Sequence, residues 1–416
     1  MRIVVPHAGS AFFCLAFLIG AGSHATSLLA AEQASTVATK PDQIKQLIAT
    51  VNQVGPKGAG HAPAAAAIQE LSKLDGAQLL TVVAAIQDDN LLAANWIRSA
   101  VESIARRQVK SGGSLPTAEL EAFILDTSHS DRGRRLAYEL LVQVDATAPR
   151  RLLPGLLNDN SLELRRDAVA REIARIAKAA KGEKVEDREL AAKQYLDVLK
   201  STRDIDQIQD LVERLKKLKE PVDVARHFGF LQTWQLIGPF DNREMKGYAV
   251  AYPPEEKLEF NAELAGKQGA VKWTSHTTDD PYGMVDLNKA MTRHKGAIAY
   301  AATTFDSAAE RPVELRFGSM NACKVWLNGK LLLEREVYHA ATDIDQYVAK
   351  GTLKPGRNVI LLKVCQNEQT EQWAQQWSFQ LRVCDSRGTA VLSTDRPAMP
   401  VAPSADQQVG LANPSK

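Results

Sequence analysis

The 416 residues, 45% hydrophobic and 24% charged, have the composition of a folded globular chain, and the length suits two or three domains. Lys and Arg number 51 against 49 Asp and Glu, and a net charge of +2 supplies no field that would draw nucleic acid or an acidic membrane surface. No nucleic-acid partner is expected.

The chain opens with Arg2, an apolar run from Ala11 to Gly22, and small residues at Ser23, Ala25, Ala30 and Ala31, which is the layout of a secretory signal. The run falls short of the roughly 20 apolar residues a spanning helix needs. Residues 1–31 are therefore read as a cleaved signal peptide, and the mature chain is expected in the periplasm or outside the cell, with no membrane span. An uncleaved anchor is the alternative, since Ser23-His24-Ala25 and Leu29-Ala30-Ala31 are both imperfect cleavage sites. Phe12 and Phe13 ahead of Cys14 stand where a lipid-attachment site needs small residues.

From Pro41 to about Pro221 the chain is rich in Ala, Leu, Arg and Glu, and its apolar residues recur at three and four, which predicts helices throughout. Between Asp204 and Lys219, the residues Ile205, Ile208, Leu211, Val212, Leu215 and Leu218 form one stripe that must be buried against a neighbour. Three imperfect copies share an acidic turn followed by a helix: Asp89-Asn90 before 91–107, Asp131 before 134–144, and Asp159-Asn160-Ser161 before 162–176. Arg134-Arg135-Leu136-Ala137 and Arg165-Arg166-Asp167-Ala168-Val169 place arginines near a helix start and a small Ala at the helix contact. This resembles the HEAT repeat, in which helical hairpins stack on one another; a plain helical bundle is the alternative. Gly112-Gly113 ahead of Leu115-Pro116-Thr117 predicts an inserted loop with Thr117 capping the next helix. The helical domain is read as 41–226.

After His227 the texture changes to Trp, Tyr, Phe, Val and Thr in short runs broken by Gly, Pro and Asn, the pattern of strands. Thr233 opens a strand whose pairing Gly238-Pro239 should stop. Further strands are predicted over 297–304, 312–317, 323–327, 330–334, 359–365 and 377–383. Asn328-Gly329 gives the strongest short hairpin signal, and Lys354-Pro355-Gly356 another turn. Many short antiparallel strands with such turns imply a sandwich, read as 227–390. The stretch 391–416, rich in Pro, Ala and Ser, is expected to be disordered. The fold class expected is thus an α+β multidomain chain, an all-α HEAT-like solenoid followed by an antiparallel β-sandwich.

Within the second half, Val325-Trp326-Leu327-Asn328-Gly329-Lys330, the segment from Leu353 to Lys363, and Trp377-Ser378-Phe379-Gln380-Leu381-Arg382 resemble the galactose-binding-like jelly roll of carbohydrate-associated proteins. The opening Trp234 to Phe240 is similar to the start of such modules in large secreted bacterial proteins, some of which also carry HEAT-like helices. The resemblance implies a jelly-roll fold over about 228–386 and says little about ligand, because this architecture hosts sugar binding, calcium sites and purely structural roles.

The search for chemistry is mostly negative. His61, His129, His227, His276, His294 and His339 stand alone rather than at metal-ligand spacing, and the glycines from Gly55 to Gly60 lack the Lys-Ser/Thr of a phosphate loop. No nucleophile elbow or dinucleotide fingerprint occurs. Asp343-Ile344-Asp345 begins like a calcium loop but has Val348 where that loop needs Gly. No cofactor and no metal site is expected, calcium being the one ion weighed. Glu255-Glu256 reads as a solvated turn, whereas Asp279-Asp280 with Tyr282 reads as an ordinary Asp-Pro turn or as a loop that can hold calcium or sugar hydroxyls. Trp234, Trp326 and Trp377 sit at strand periods and belong in the core. Trp373 differs, since it follows the polar stretch Gln366 to Gln372 and can offer its face to a sugar ring, with Glu371 beside it. The candidate carbohydrate site is Asp279, Asp280, Tyr282, Glu371 and Trp373. An exported protein can pair two of the mature cysteines, Cys365 and Cys384 being the candidate disulfide, with buried reduced thiols as the alternative. No catalytic motif is complete. The reading favoured is a non-catalytic binding or scaffold protein with a protein partner on the helices and a glycan on the sandwich; a glycan-acting hydrolase or its accessory subunit, and a structural envelope component, are the alternatives.

Overall fold

The computed structural model describes residues 41–180 and 185–396, so the expected signal peptide lies outside the described residues. Eleven helices make the first half: α1 (Pro41–Val51), α2 (His61–Leu71), α3 (Leu79–Val83), α4 (Leu91–Lys110), α5 (Thr117–Leu125), α6 (Asp131–Val144), α7 (Ala148–Leu152), α8 (Leu162–Ala179), α9 (Val185–Ser201), α10 (Ile205–Lys217) and α11 (Val224–Phe228). They pack in succession, α1 on α2, α3 on α4, α5 on α6, α8 on α9 and α9 on α10, and α2, α4, α6, α8 and α10 contact one another in turn. The predicted stripe of α10 is buried at Ile208, Leu211 and Leu215. Thr117 is not a cap: it is the first helical residue of α5, behind Pro116, and its side chain caps nothing.

Polar side chains at the turns stitch each pair to the previous one. The Asn90 amide donates to the carbonyls of Asn52 and Val54 while its oxygen caps α4 by accepting from the Ala93 N–H. Arg134, fully buried, donates to the Ile124 carbonyl at 2.7 Å and clamps Asp159 with two bonds of 2.8 and 2.6 Å. Arg165 reaches the carbonyls of Asp159 and Asn158. A planar guanidinium meets such a fork of acceptors with two bonds held in fixed geometry, which a lysine cannot do.

The second half contains β1 (Thr233–Asp241), β2 (Glu263–Gly266), β3 (Gly269–Lys272), β4 (Thr274–Thr277), β5 (Val285–Asp286), β6 (Ala297–Ser307), β7 (Arg311–Gly318), β8 (Ala322–Leu327), β9 (Lys330–Arg335), β10 (Tyr347–Leu353), β11 (Gly356–Gln366) and β12 (Ser378–Cys384). An antiparallel six-stranded sheet, β4-β1-β6-β11-β8-β9, faces a four-stranded one, β10-β7-β12-β5. Strand alternation builds the core: Ile360, Leu362 and Val364 of β11 point inward against Leu315 and Phe317 of β7 and Phe379, Leu381 and Val383 of β12. Asn328 and Gly329 take φ of 52° and 77°, as the hairpin turn requires. Gly238-Pro239 does not stop β1; pairing with β6 resumes at Phe240 after a register shift, because an irregularity absorbs the proline's missing donor.

The same alternation overturns the candidate disulfide. Cys365 lies on the outer face of the six-stranded sheet and Cys384 on the outer face of the four-stranded one, so the whole core separates them. All three described cysteines are free and buried, and burial pushes the thiols of Cys323 and Cys384 up to about 12 and about 11. The first residues of the stretch expected to be disordered are ordered instead. Residues 391–396 strap the sandwich: the Val391 N–H donates to the Val383 carbonyl, the Thr394 N–H to that of Asp306, and Arg396 reaches the Phe230 carbonyl. The remainder, 397–416, lies outside the described residues.

The two halves meet on the outer face of the four-stranded sheet. Arg382, 2% exposed, binds Asp345 through two nitrogens, donates to the carbonyls of Phe228 at the end of α11 and of Gly388, and lies over the Phe228 ring. Burial alone would raise the Asp345 carboxyl, yet bonds and charge from Arg382 and Arg316 hold it below its ordinary value. The weak calcium-loop pattern thus resolves into a counter-ion for two arginines.

His227 sits in the same junction, where burial, then the charges of Arg203 and Arg382, push it down to about 4. A histidine kept neutral in the fold and free to protonate when unfolded makes the unfolded chain bind more protons between pH 6.5 and 4. Stability should therefore fall on acidification across that window, by on the order of 2–3 kcal/mol from this group. Urea unfolding at pH 7 and pH 5 should show the loss, and His227→Gln should flatten it; an unchanged slope in the variant would remove His227 as the cause.

Candidate functional site

The loop joining β11 to β12 carries the exposed aromatic. Trp373 is 57% exposed, whereas Trp234, Trp326 and Trp377 are buried, as their strand positions predicted. Its ring stands upright against that of His339, centroids 4.9 Å apart at 84°. His339 takes φ of 60° and shares a 3.0 Å hydrogen bond between Nε2 and the Asn367 Oδ1. Asn367, nearly buried, also accepts from the Gln369 N–H and donates to its side chain. The Lys295 ammonium donates to the Ala374 carbonyl, and burial outweighs nearby Glu371 in pulling its pKa down. The result is an apolar ring fixed edge-on by a histidine and bordered by amide, carboxylate and ammonium groups, the composition that stacks on a sugar ring and bonds its hydroxyls.

The structure does not bring the five predicted residues together. Glu371 and Trp373 share this loop. Asp280 instead closes its own turn by accepting from the N–H groups of Tyr282 and Met284, and Tyr282 packs against Phe228 and Phe230 at the helical junction. Asp279 is exposed. None of the five lines the cleft of about 330 Å³ between Gly229–Thr233, Thr303–Phe305 and the 391–396 strap. Among the described residues no group of three or more His, Cys, Asp or Glu side chains is placed to hold a metal, and no helix is long and apolar enough to cross a membrane.

Sequence reasoning missed His339 as the support of Trp373, because it comes from the β9–β10 loop, which only the fold brings beside the β11–β12 loop. It also misplaced Glu255, read as solvated. That carboxylate is folded over the outer face of the six-stranded sheet, where it accepts from Lys363 at 2.8 Å and from the Tyr300 hydroxyl. Lys363 is fully buried and spends its other donors on the carbonyls of Tyr248 and Val250. Burial, then the bond to Glu255, raises the Tyr300 hydroxyl, so it stays protonated and donating. A Lys, a Glu and a Tyr in contact resemble acid–base machinery, but the ammonium has three protons and three acceptors already. It pins the 243–258 lobe to the sheet. The signal was present in the sequence: one lysine interrupts an otherwise apolar strand, and a charge there needs a partner.

No protein-family model matches the chain, and no curated protein sequence does. Among solved structures, β-glucosidase from Kluyveromyces marxianus superposes with a TM-score of 0.24 at 13% identity, over 36% of this chain and 16% of that enzyme. A β-glucuronidase from Faecalibacterium prausnitzii gives 0.18 at 18% identity, over 33% and 21%, and a GH31 α-xylosidase from Xanthomonas citri 0.18 at 12%, over 37% and 16%. The chain spans no more than 21% of the length of these three enzymes. TM-scores this low establish neither activity nor ligand.

Removing the Glu255 carboxylate should expose the role of the lobe staple. Glu255→Ala leaves a buried ammonium without its counter-ion and should cost roughly 3–5 kcal/mol in urea unfolding, while Lys363→Met with Glu255→Leu should recover most of it. A single variant as stable as the parent would show that the staple does not hold the lobe.

Proposed function

We propose that this chain is an exported, non-catalytic binding protein whose β-sandwich contacts carbohydrate through Trp373. The observation that carries the reading is the exposed indole, held upright by His339, which Asn367 bonds in turn, with Gln369 and Glu371 in the same loop. An exposed Trp fixed by a neighbouring ring costs solvation without adding core, so ligand contact is the role that repays it. The galactose-binding-like pattern of the strands supports the same ligand class, and the HEAT-like helical pairs supply a long surface for a protein partner. Asp280 and Tyr282 leave the site, being a turn anchor and a junction residue; Glu371 and Trp373 stay.

A glycan array probed with the full chain, with Trp373→Ala, and with the parent in chelator tests this. Binding to neutral glycans should survive chelator and weaken at least tenfold in the variant, with no release of reducing ends on long incubation. Silence on the array, equal binding by the variant, or glycan cleavage would each overturn the proposal.

A further inference from the structure

At one edge of the sandwich, where β9 meets β10, a groove of about 450 Å³ opens over Pro312, Leu327 and Leu332. Lys330, Lys350 and Lys354 stand around it, all exposed, and none of the three has an ion-pair partner among the described residues. The cross-strand neighbour of Lys350 is Glu314, but that carboxylate is engaged by Arg316. Ion pairs run through other parts of the chain, as in Arg98–Glu139–Arg135–Asp167 across α4, α6 and α8. Three like charges around one groove repel each other, and an anion that bridges them relieves the repulsion.

We infer that this groove binds an anionic polysaccharide, its carboxylate or sulfate groups meeting Lys330, Lys350 and Lys354 while the sugar faces lie on Pro312, Leu327 and Leu332. Lys350 lies on β10 and Lys354 just past its end, four residues on, about 13 Å at the rise of extended chain, a spacing that suits successive charges along a polymer rather than one small anion. An acidic peptide fits less well, since a run of acidic residues brings no flat apolar face to the floor of Pro312, Leu327 and Leu332. The same lysines keep these edge strands from pairing with another chain, a role that requires no groove. The site shares no residue with the Trp373 loop, and its failure would leave that reading standing.

Immobilised polygalacturonate (carboxylate), dextran sulfate (sulfate) and neutral dextran, with poly-glutamate as the peptide arm, give the test with the full chain. Retention on at least one acidic polysaccharide, beyond any retention on dextran and weakening steeply with salt, is expected. Lys330→Glu/Lys350→Glu/Lys354→Glu should reduce it at least tenfold, and the milder triple Gln variant should reduce it while retaining the parent's thermal midpoint. Lys110→Glu/Lys178→Glu/Lys217→Glu, which reverses equal charge on the helices, should bind as the parent does. Equal loss in the helical control, retention on poly-glutamate alone, or no retention beyond dextran would overturn the inference.

Discussion

The architecture depends on one buried guanidinium. Arg382 leaves the middle of a sandwich strand, takes both oxygens of Asp345, and spends another nitrogen on the last carbonyl of the helical half, at Phe228. Arg316 shares Asp345 and carries Glu314, so two arginines and two carboxylates neutralise one another where the domains join. A buried network of this kind adds little net stability against an apolar replacement. What it supplies is direction, since a guanidinium fork accepts its partners in one orientation, whereas a greasy contact allows sliding. Phe228, Phe230 and Tyr282 then close over it as rings that an ill-placed junction would leave wet.

Where apolar period alone determined the outcome, the sequence was readable. The stripe of α10, the inward residues of β11 and the three buried tryptophans follow from 3.6-residue and two-residue repeats. Asn328-Gly329 was readable because two positive φ values need those residue types. β10 was not: Ala349, Lys350 and Gly351 are poor strand formers, and the strand exists because β7 pairs with it along its whole length. Cys365 and Cys384 were misjudged because spacing says nothing about which face of which sheet a residue occupies.

Polar residues were the hardest, for a physical reason. A carboxylate in a Pro-rich turn reads as solvated until its partner is known, and Glu255 finds Lys363 more than a hundred residues away. Asp280 and Tyr282 looked like ligand groups because a turn anchor and a sugar ligand draw on the same side chains. Trp373 was legible since its neighbours in sequence, unlike those of the other tryptophans, offer no strand to bury it in. His339, which fixes its ring, arrives from the β9–β10 loop and left no local trace.

Coverage decides where such a sandwich can still meet a ligand. The helical junction occupies the outer face of the four-stranded sheet through Arg382 and Phe228, and the lobe held by Lys363 and Glu255 occupies that of the six-stranded sheet. Tyr248, Tyr252 and the buried Tyr300 make that second cover a small core of its own. With both faces sealed, exposure concentrates at the loops and the strand edges. The Trp373 loop and the lysine-lined edge of β9 and β10 are such places, and they differ in kind: one presents a ring with fixed hydrogen-bonding neighbours, the other unpaired charge over an apolar floor. An indole face gains from a neutral sugar's C–H surface and little from salt, whereas an ammonium gains from an anion and loses it as salt rises. Ionic strength therefore separates the two surfaces on a single polypeptide, each reporting on itself without disturbing the buried arginine that positions both halves.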